Sequence, residues 1–384
     1  MPLRITIDAG CLSHPRRTGI GRCLESVLPR LVSAAGGEAE FILLAGKPLV
    51  SEVALELVGQ GKLTAKTAHF PSLYAWQQTG MAWQLRRLGP DAHYASDGLA
   101  PPCAGAPVVA LVHDLLWERH PETLAFHVRA VYAARARASL SRAAVALAGS
   151  RFTKAEAVRV FGRAADKIEV RRCHGVDPSL FHPAPREERP GRDPFLAAHG
   201  LAPGYVLCLG NLMAHKNLGL VLDALALLRE RGETPPVLAV VGLGDPEAIH
   251  RRLPGGYPRE SVRCLGYLPD GQARAAYRHA LCLAFPSRYE GFGLPILEAM
   301  ASGAPVVYAN ASALPEAAGD AGLAVSPDDP AQMADALSRL AREPETRAAL
   351  VARGLARAEG FSWDECAADL WSALRRAAAT RTRP

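Results

Sequence analysis

Several common signatures are missing from this chain, and each absence removes a class of protein. Among its eight cysteines (11, 23, 103, 173, 208, 264, 282 and 366) no two form a C-x-x-C pair, which argues against a zinc module or a dithiol redox motif. Cys208, Cys264 and Cys282 instead fall inside apolar, strand-like runs, where free thiols behave as small hydrophobes in a reducing compartment. No D-x-D pair occurs, so a catalytic metal has no obvious ligands, and neither metal nor cofactor is expected. No stretch of 18 or more residues is apolar enough to span a bilayer. Pro2 to Asp8 lacks the pattern of a secretory signal and reads as a first strand, so a cytoplasmic location is expected. A strong charge imbalance is missing too. The formal charge of +6 favours an anionic partner such as a nucleotide or a phospholipid surface, and no nucleic acid is expected.

What is present is length and alternation. The 384 residues exceed what one hydrophobic core usually supports, so two domains are expected. A hydrophobic content of 49% and a mean hydropathy of +0.03 describe an ordinary globular protein. Strands are expected at Arg4 to Asp8, Glu40 to Ala45, Pro107 to Val112, Ala143 to Ala148 and Lys167 to Val170, with helices between them. Tyr74, Trp76 and Trp83 recur at roughly helical spacing, which suits core packing. A second series follows at Tyr205 to Leu209, Val237 to Val241, Val262 to Leu265, Leu281 to Phe285 and Val306 to Tyr308. Strands alternating with helices specify an α/β protein with parallel sheets covered on both faces. Phe181 to Pro194 holds four prolines and no apolar periodicity, the composition of a linker. The expected division is residues 1–181, a linker at 182–194, residues 195–360, and a C-terminal helix over 361–384 that crosses back to the first domain. Ser362-x-x-Glu365 reads as its capping box.

One stretch concentrates the chemistry: Ser287-Arg-Tyr-Glu290-Gly-Phe-Gly-Leu-Pro-Ile-Leu-Glu298-Ala-Met-Ala-Ser-Gly303. It follows a buried strand and enters a helix at Pro295, whose missing N–H costs nothing in a first turn. Gly291 and Gly293 leave backbone N–H groups uncovered beside a positive helix end, a cradle for an oxygen-rich anion. Glu290 and Glu298 flank that cradle and would accept hydrogen bonds from several hydroxyls, which together suggests a sugar and a phosphate in one ligand. The loop Gly210-Asn211-Leu-Met-Ala-His215-Lys216-Asn217 also follows a strand and aims Lys216 at the same region, where it would neutralise a diphosphate. His113, directly after the strand Pro107 to Val112, is a further strand-end candidate. Gly242-Leu-Gly244 is a weak glycine signal that a turn explains equally well.

The Glu290 to Glu298 segment, two glutamates separated by seven residues around Gly-Phe-Gly-Leu-Pro, resembles the signature of retaining glycosyltransferases of family 4. The resemblance covers most of both domains and is strongest from Gly266 to Asp320. It implies a GT-B fold, two Rossmann-like domains facing each other across a cleft, and transfer of a hexose from a UDP- or GDP-sugar to an acceptor hydroxyl with retained anomeric configuration and no metal. In its terms Glu290, Gly291, Phe292, Gly293 and Leu294 meet the donor sugar and diphosphate, and Glu298 binds the ribose hydroxyls. Lys216 matches the family's phosphate lysine, whereas Asn211 stands where an arginine is usual; His215 or Arg288 are the substitutes at hand. Leu265-Gly266-Tyr267-Leu268-Pro269 resembles the segment whose backbone meets the nucleobase. Leu111-Val-His113-Asp resembles the motif whose histidine lines the sugar pocket, and Thr18-Gly19-Ile-Gly21-Arg22 the glycine loop that approaches sugar and phosphate. Gly149-Ser150-Arg-Phe-Thr153-Lys154 and Gly175-Val176-Asp177 match further segments, with His174 where an asparagine is usual. The acceptor, the sugar and the nucleotide stay open. Arg16, Arg17 and the arginines after His127 would suit a lipid phosphate, and with it peripheral contact at the inner face of a membrane.

Two other readings compete. A two-domain NAD-dependent dehydrogenase would also place Gly19-x-Gly21 after a first strand. Here, though, the glycines come well downstream of Asp8, Leu24 occupies the third glycine position, and Leu44-Ala45-Gly46 ends the second strand without a ribose-gripping acid. A catalytically silent sugar-nucleotide-binding protein would use the same residues as the enzyme.

Overall fold

The structure is a computed structural model that describes residues 1–15, 18–70, 75–102, 104–183, 193–209, 213–242, 245–254 and 257–381. Arg16, Arg17, Tyr74, Asn211, Gly244 and most of the expected linker lie outside the described residues. The chain divides into two compact units, Met1–Gly175 with Ser362–Pro384, and Val176–Phe361.

The first unit is built on a seven-stranded sheet in the order β3-β2-β1-β4-β5-β6-β7. Its strands are β1 Leu3–Asp8, β2 Ala39–Ala45, β3 Thr64–Thr67, β4 Ala92–Ala95, β5 Val108–Val112, β6 Val145–Ala148 and β7 Ile168–Val170. All its pairings are parallel, and the near-continuous burial of β2, β4 and β6 is what a sheet covered on both faces demands. The helix Gly19–Ala35 starts where Thr18 Oγ1 accepts from Gly21 N–H at 3.1 Å. Against it packs the last helix, Trp363–Ala379, with Trp371 edge-on to Phe41 of β2 at 6.2 Å. Ser362 caps that last helix through Asp364 N–H, and Glu365 pairs with Arg172 at 2.5 Å instead of closing the expected box.

Trp76 is buried as expected, but Trp83 is 56% exposed under the Arg87 guanidinium. A wide π turn over Trp76–Gly80 precedes the helix Met81–Leu88. The extra residue in that turn rotates the helical register, which breaks the regular aromatic spacing on which the core assignment rested.

The second unit carries a six-stranded, wholly parallel sheet in the order β10-β9-β8-β11-β12-β13. Its strands are β8 Tyr205–Leu209, β9 Leu238–Val241, β10 Val262–Gly266, β11 Ala280–Phe285, β12 Val306–Ala309 and β13 Leu323–Val325. The chain runs outward from β8 through β9 to β10, then returns to lay β11 on the other side of β8. That reversal opens a crevice at the carboxyl ends of β8 and β11, the place where open α/β sheets bind ligands. The first sheet reverses in the same way between β1 and β4. The unit begins at Val176 rather than after Phe181, because Val176 N–H bonds to Phe361 C=O at 3.0 Å and Phe181 packs edge-on to Tyr277 at 6.1 Å. Among the described residues, no helix is long and apolar enough to cross a membrane.

Candidate functional site

At the reversal point of the second sheet, β11 ends at Phe285 and the chain passes through Ser287 and Tyr289, both buried, into Glu290. Glu290 N–H donates to Ser312 Oγ at 3.1 Å, and Ser312 is itself held in the left-handed region at φ 54°. Phe292 is buried, and Gly293 takes φ 117° as it caps the helix Leu294–Ala301, with Pro295 in the first turn. The φ of Gly293 is one that L side chains rarely adopt, so the backbone favours glycine there, and a Cβ would also press on Leu314 Cδ2 at 2.9 Å. From β8 comes a tight turn, Ala214–Lys216, closed by Asn217 at φ 55°. Asn217 Nδ2 donates to Pro286 C=O at 3.2 Å and Pro327 C=O at 2.8 Å, and Arg288 N–H donates to His215 C=O at 2.7 Å. These bonds tie the two loops together. The result is an ion pair across the crevice: Lys216 Nζ lies 2.7 Å from Glu290 Oε1, with both side chains mostly enclosed (23% and 18% exposed). Glu298 sits deeper, 4% exposed, its Oε2 accepting from Tyr277 Oη at 3.0 Å. Arg288 pairs with Asp328 at the rim. Gly266 ends β10 in the left-handed region, and Tyr267 beside it is exposed.

In the first unit, His113 follows β5, and its Nε2 lies 2.6 Å from the Ser96 carbonyl. Because a carbonyl only accepts, that nitrogen carries the proton. Ser96 Oγ in turn donates to Asp8 C=O at 2.8 Å. Asp8 at the end of β1 and Asp97 beyond β4 flank the reversal of this sheet, and the Gln77 amide nitrogen bonds to both carboxyl groups. Burial first, and the neighbouring Asp97 second, push the Asp8 carboxyl up to about 8. Burial also raises Asp97, and burial with these carboxyl groups raises the Cys11 thiol. Gly21 N–H, expected to face a phosphate, is engaged by the Thr18 cap. His174 is buried, and burial lowers its imidazole to about 3. Among the described residues, no cluster of three or more His, Cys, Asp or Glu side chains could hold a metal.

The comparisons with known proteins bear on this geometry. Residues 203–343 match the family model described as glycosyl transferases group 1. This stretch carries β8 to β13, Lys216, Glu290 and Glu298. Over these residues the chain is similar to a group 1 glycosyltransferase domain. Over 231 residues it is 35% identical to O-antigen chain mannosyltransferase B of Escherichia coli, covering 59% of each chain. Over 216 residues it is 35% identical to D-inositol 3-phosphate glycosyltransferase of Actinosynnema mirum, covering 53% of this chain and 50% of that one. The chain thus spans between half and three-fifths of the length of these curated relatives. The whole fold superposes on Anabaena HepE, solved with UDP and glucose, with a TM-score of 0.72 at 19% identity, covering 97% of this chain and 99% of that one. WaaG, a glycosyltransferase involved in lipopolysaccharide biosynthesis, gives 0.69 at 17% identity, covering 96% and 99%. The fold is GT-B.

Within the matched stretch, Lys216, Glu290, Gly291, Phe292, Gly293, Leu294 and Glu298 all fall on the loops after β8 and β11 and the helix that follows. Gly266 and Tyr267 lie at the end of β10, two strands away from β8. Sequence reasoning missed Ser312, Asn217 and Tyr277, the side chains that hold this machinery in place. Asn217 alone left a trace, since an asparagine ending a loop is a residue suited to left-handed backbone. In the first unit Gln77, Asp8 and Asp97 went unassigned because they meet only through the sheet reversal.

Proposed function

We propose that the chain is a retaining, metal-independent hexosyltransferase that moves a hexose from a UDP- or GDP-sugar to an acceptor hydroxyl, in the making of a glycan, a glycolipid or a glycosylated metabolite. The observation that carries this reading is the Lys216–Glu290 pair at the β8–β11 crevice with Glu298 enclosed behind it. A cation, a helix N-terminus and two carboxylates thereby share one strand-end crevice. The E. coli and Actinosynnema relatives are named as sugar transferases, and Anabaena HepE was solved with UDP-glucose, which supports a nucleotide-sugar donor here.

In this reading Lys216 and the N-terminus of Leu294–Ala301 stabilise the charge that develops on the departing diphosphate. Glu290 holds donor sugar hydroxyls next to the anomeric carbon, whose positive character grows as the leaving group departs. The ion pair keeps Lys216 pointed at the site before the diphosphate arrives, so little reorganisation is left for the reaction. Glu298 binds the ribose hydroxyls. His113, fixed by the Ser96 carbonyl, is assigned to the sugar; the acceptor hydroxyl attacks the anomeric carbon on the face from which the diphosphate leaves, and its proton passes to the departing phosphate. The helix Phe126–Arg142 carries Arg129, Arg135, Arg137 and Arg142 without an acidic residue and leaves Phe126 81% exposed, which supports peripheral contact with an anionic lipid surface.

Kinetics with UDP- and GDP-sugars, read as donor hydrolysis and as transfer to a panel of hydroxyl acceptors, tests the assignment. Glu298→Ala should chiefly raise the donor KM, Glu290→Ala and His113→Ala should lower kcat, and EDTA should leave the rate unchanged. Equally small effects from Glu290→Ala and Glu298→Ala would contradict the roles given. A donor that binds without turnover under every acceptor would identify a silent binding protein instead.

A further inference from the structure

Glu298 is held by a neighbour that no motif marks. Tyr277 is fully buried on the helix Asp270–Arg278, which packs against Leu294–Ala301. The edge of the Phe181 ring fixes its ring, and its hydroxyl donates to Glu298 Oε2 at 3.0 Å. The phenol O–H is the donor and the carboxyl oxygen the acceptor. A long glutamate side chain otherwise samples several rotamers, and ordering it at the moment of binding would weaken the complex. The phenol removes that freedom in the ligand-free protein. The phenol is also a single donor: an arginine at this position would engage a carboxylate bidentately, whereas one hydroxyl engages one oxygen, Oε2.

We infer that Tyr277 is a positioning residue for ribose recognition, setting the Glu298 carboxylate so that it meets the vicinal diol of a ribonucleotide and discriminates against a deoxyribonucleotide. This rests on the reading of Glu298 as the ribose ligand, and the experiment separates the two. The protein is titrated calorimetrically with UDP and 2′-deoxy-UDP, and with GDP and 2′-deoxy-GDP in parallel. The ratio of the two dissociation constants is read for whichever pair binds. The wild type should prefer the ribonucleotide. Tyr277→Phe keeps the ring and its packing and should reduce that preference roughly tenfold, the order expected for losing a hydrogen bond to a charged group, while affinity for the deoxy form stays put. Glu298→Asp, which draws the carboxylate back from the phenol, should do the same and serves if Tyr277→Phe folds poorly. A ratio unchanged in Tyr277→Phe but collapsed in Glu298→Gln would mean that Tyr277 only packs, and would overturn the inference. A ratio unchanged in Glu298→Gln would remove the ribose role itself.

Discussion

At Asp8 the residue scale yields a signed expectation. An aspartate whose folded pKa, about 8 here, lies above its unfolded value of about 3.9 keeps a proton in the folded state that the unfolded chain has given up. Its contribution to stability is therefore greatest in acid and is lost as pH rises from about 4 to 8. Asp8→Asn should accordingly gain melting temperature over wild type as the buffer moves from about pH 5 to about pH 8; a constant gap between the two melting curves would refute the raised pKa. At Asn217 the expectation concerns geometry. Asn217→Ala loses the bonds to Pro286 and Pro327 and adds a Cβ cost at φ 55°, so it should destabilise the protein by about 1–3 kcal/mol in chemical denaturation. Asn217→Gly, which relieves the backbone but not the lost bonds, should fall between alanine and wild type. The glutamates and Lys216 stood out in sequence because each lies in or beside a glycine-containing loop after an apolar strand, although Lys216 and Glu290 meet across 74 residues. Tyr277, Ser312, Asp97 and Gln77 did not, because none of them stands in a glycine-rich loop that marks it, and their partners are set by packing: Tyr277 reaches Glu298 from a neighbouring helix, and Ser312 holds the Glu290 N–H.

Among the elements, the long strands of both sheets could be read directly from apolar runs. Those missed, β3, β4 and β13, are short and lack a β-branched apolar run: β3 is Thr-Ala-Lys-Thr, β4 is Ala-His-Tyr-Ala and β13 is Leu-Ala-Val, whereas the equally short β6, β9 and β12 are wholly buried and together rich in valine. β3 is also an edge strand, largely exposed and polar, as an edge that avoids pairing with other chains should be. The helix Phe126–Arg142 makes its own prediction. If it meets an anionic bilayer, the protein should co-sediment with vesicles of phosphatidylglycerol and not of phosphatidylcholine alone. Reversing Arg129, Arg137 and Arg142 to glutamate should abolish that binding, at about 1 kcal/mol per charge, while leaving nucleotide binding intact. Sedimentation indifferent to the reversals would rule out this helix as the contact.

For the molecule as a whole, two parallel α/β sheets could be anticipated from the double run of alternating strands, whereas the order of strands within them and the division between the units could not be placed. Prolines and charges mark a linker by composition, but the partition follows hydrogen bonds and packing at Val176, Phe181 and Phe361. Truncation after Phe361 should spare the nucleotide binding proposed for the second unit and loosen the first, because Trp371, Leu370 and Leu374 all leave its core. Hydrogen exchange should accordingly rise in Gly19–Ala35 and β2 and stay unchanged in β8 and β11. The same partition sets a timetable for synthesis. The second unit is, in effect, a cassette spliced into the first, with its two ends clasped at Val176 and Phe361. On the ribosome the cassette is whole before its host, and the first-made half must wait, with the groove over Gly19–Ala35 unfilled, until the last helix emerges to close it.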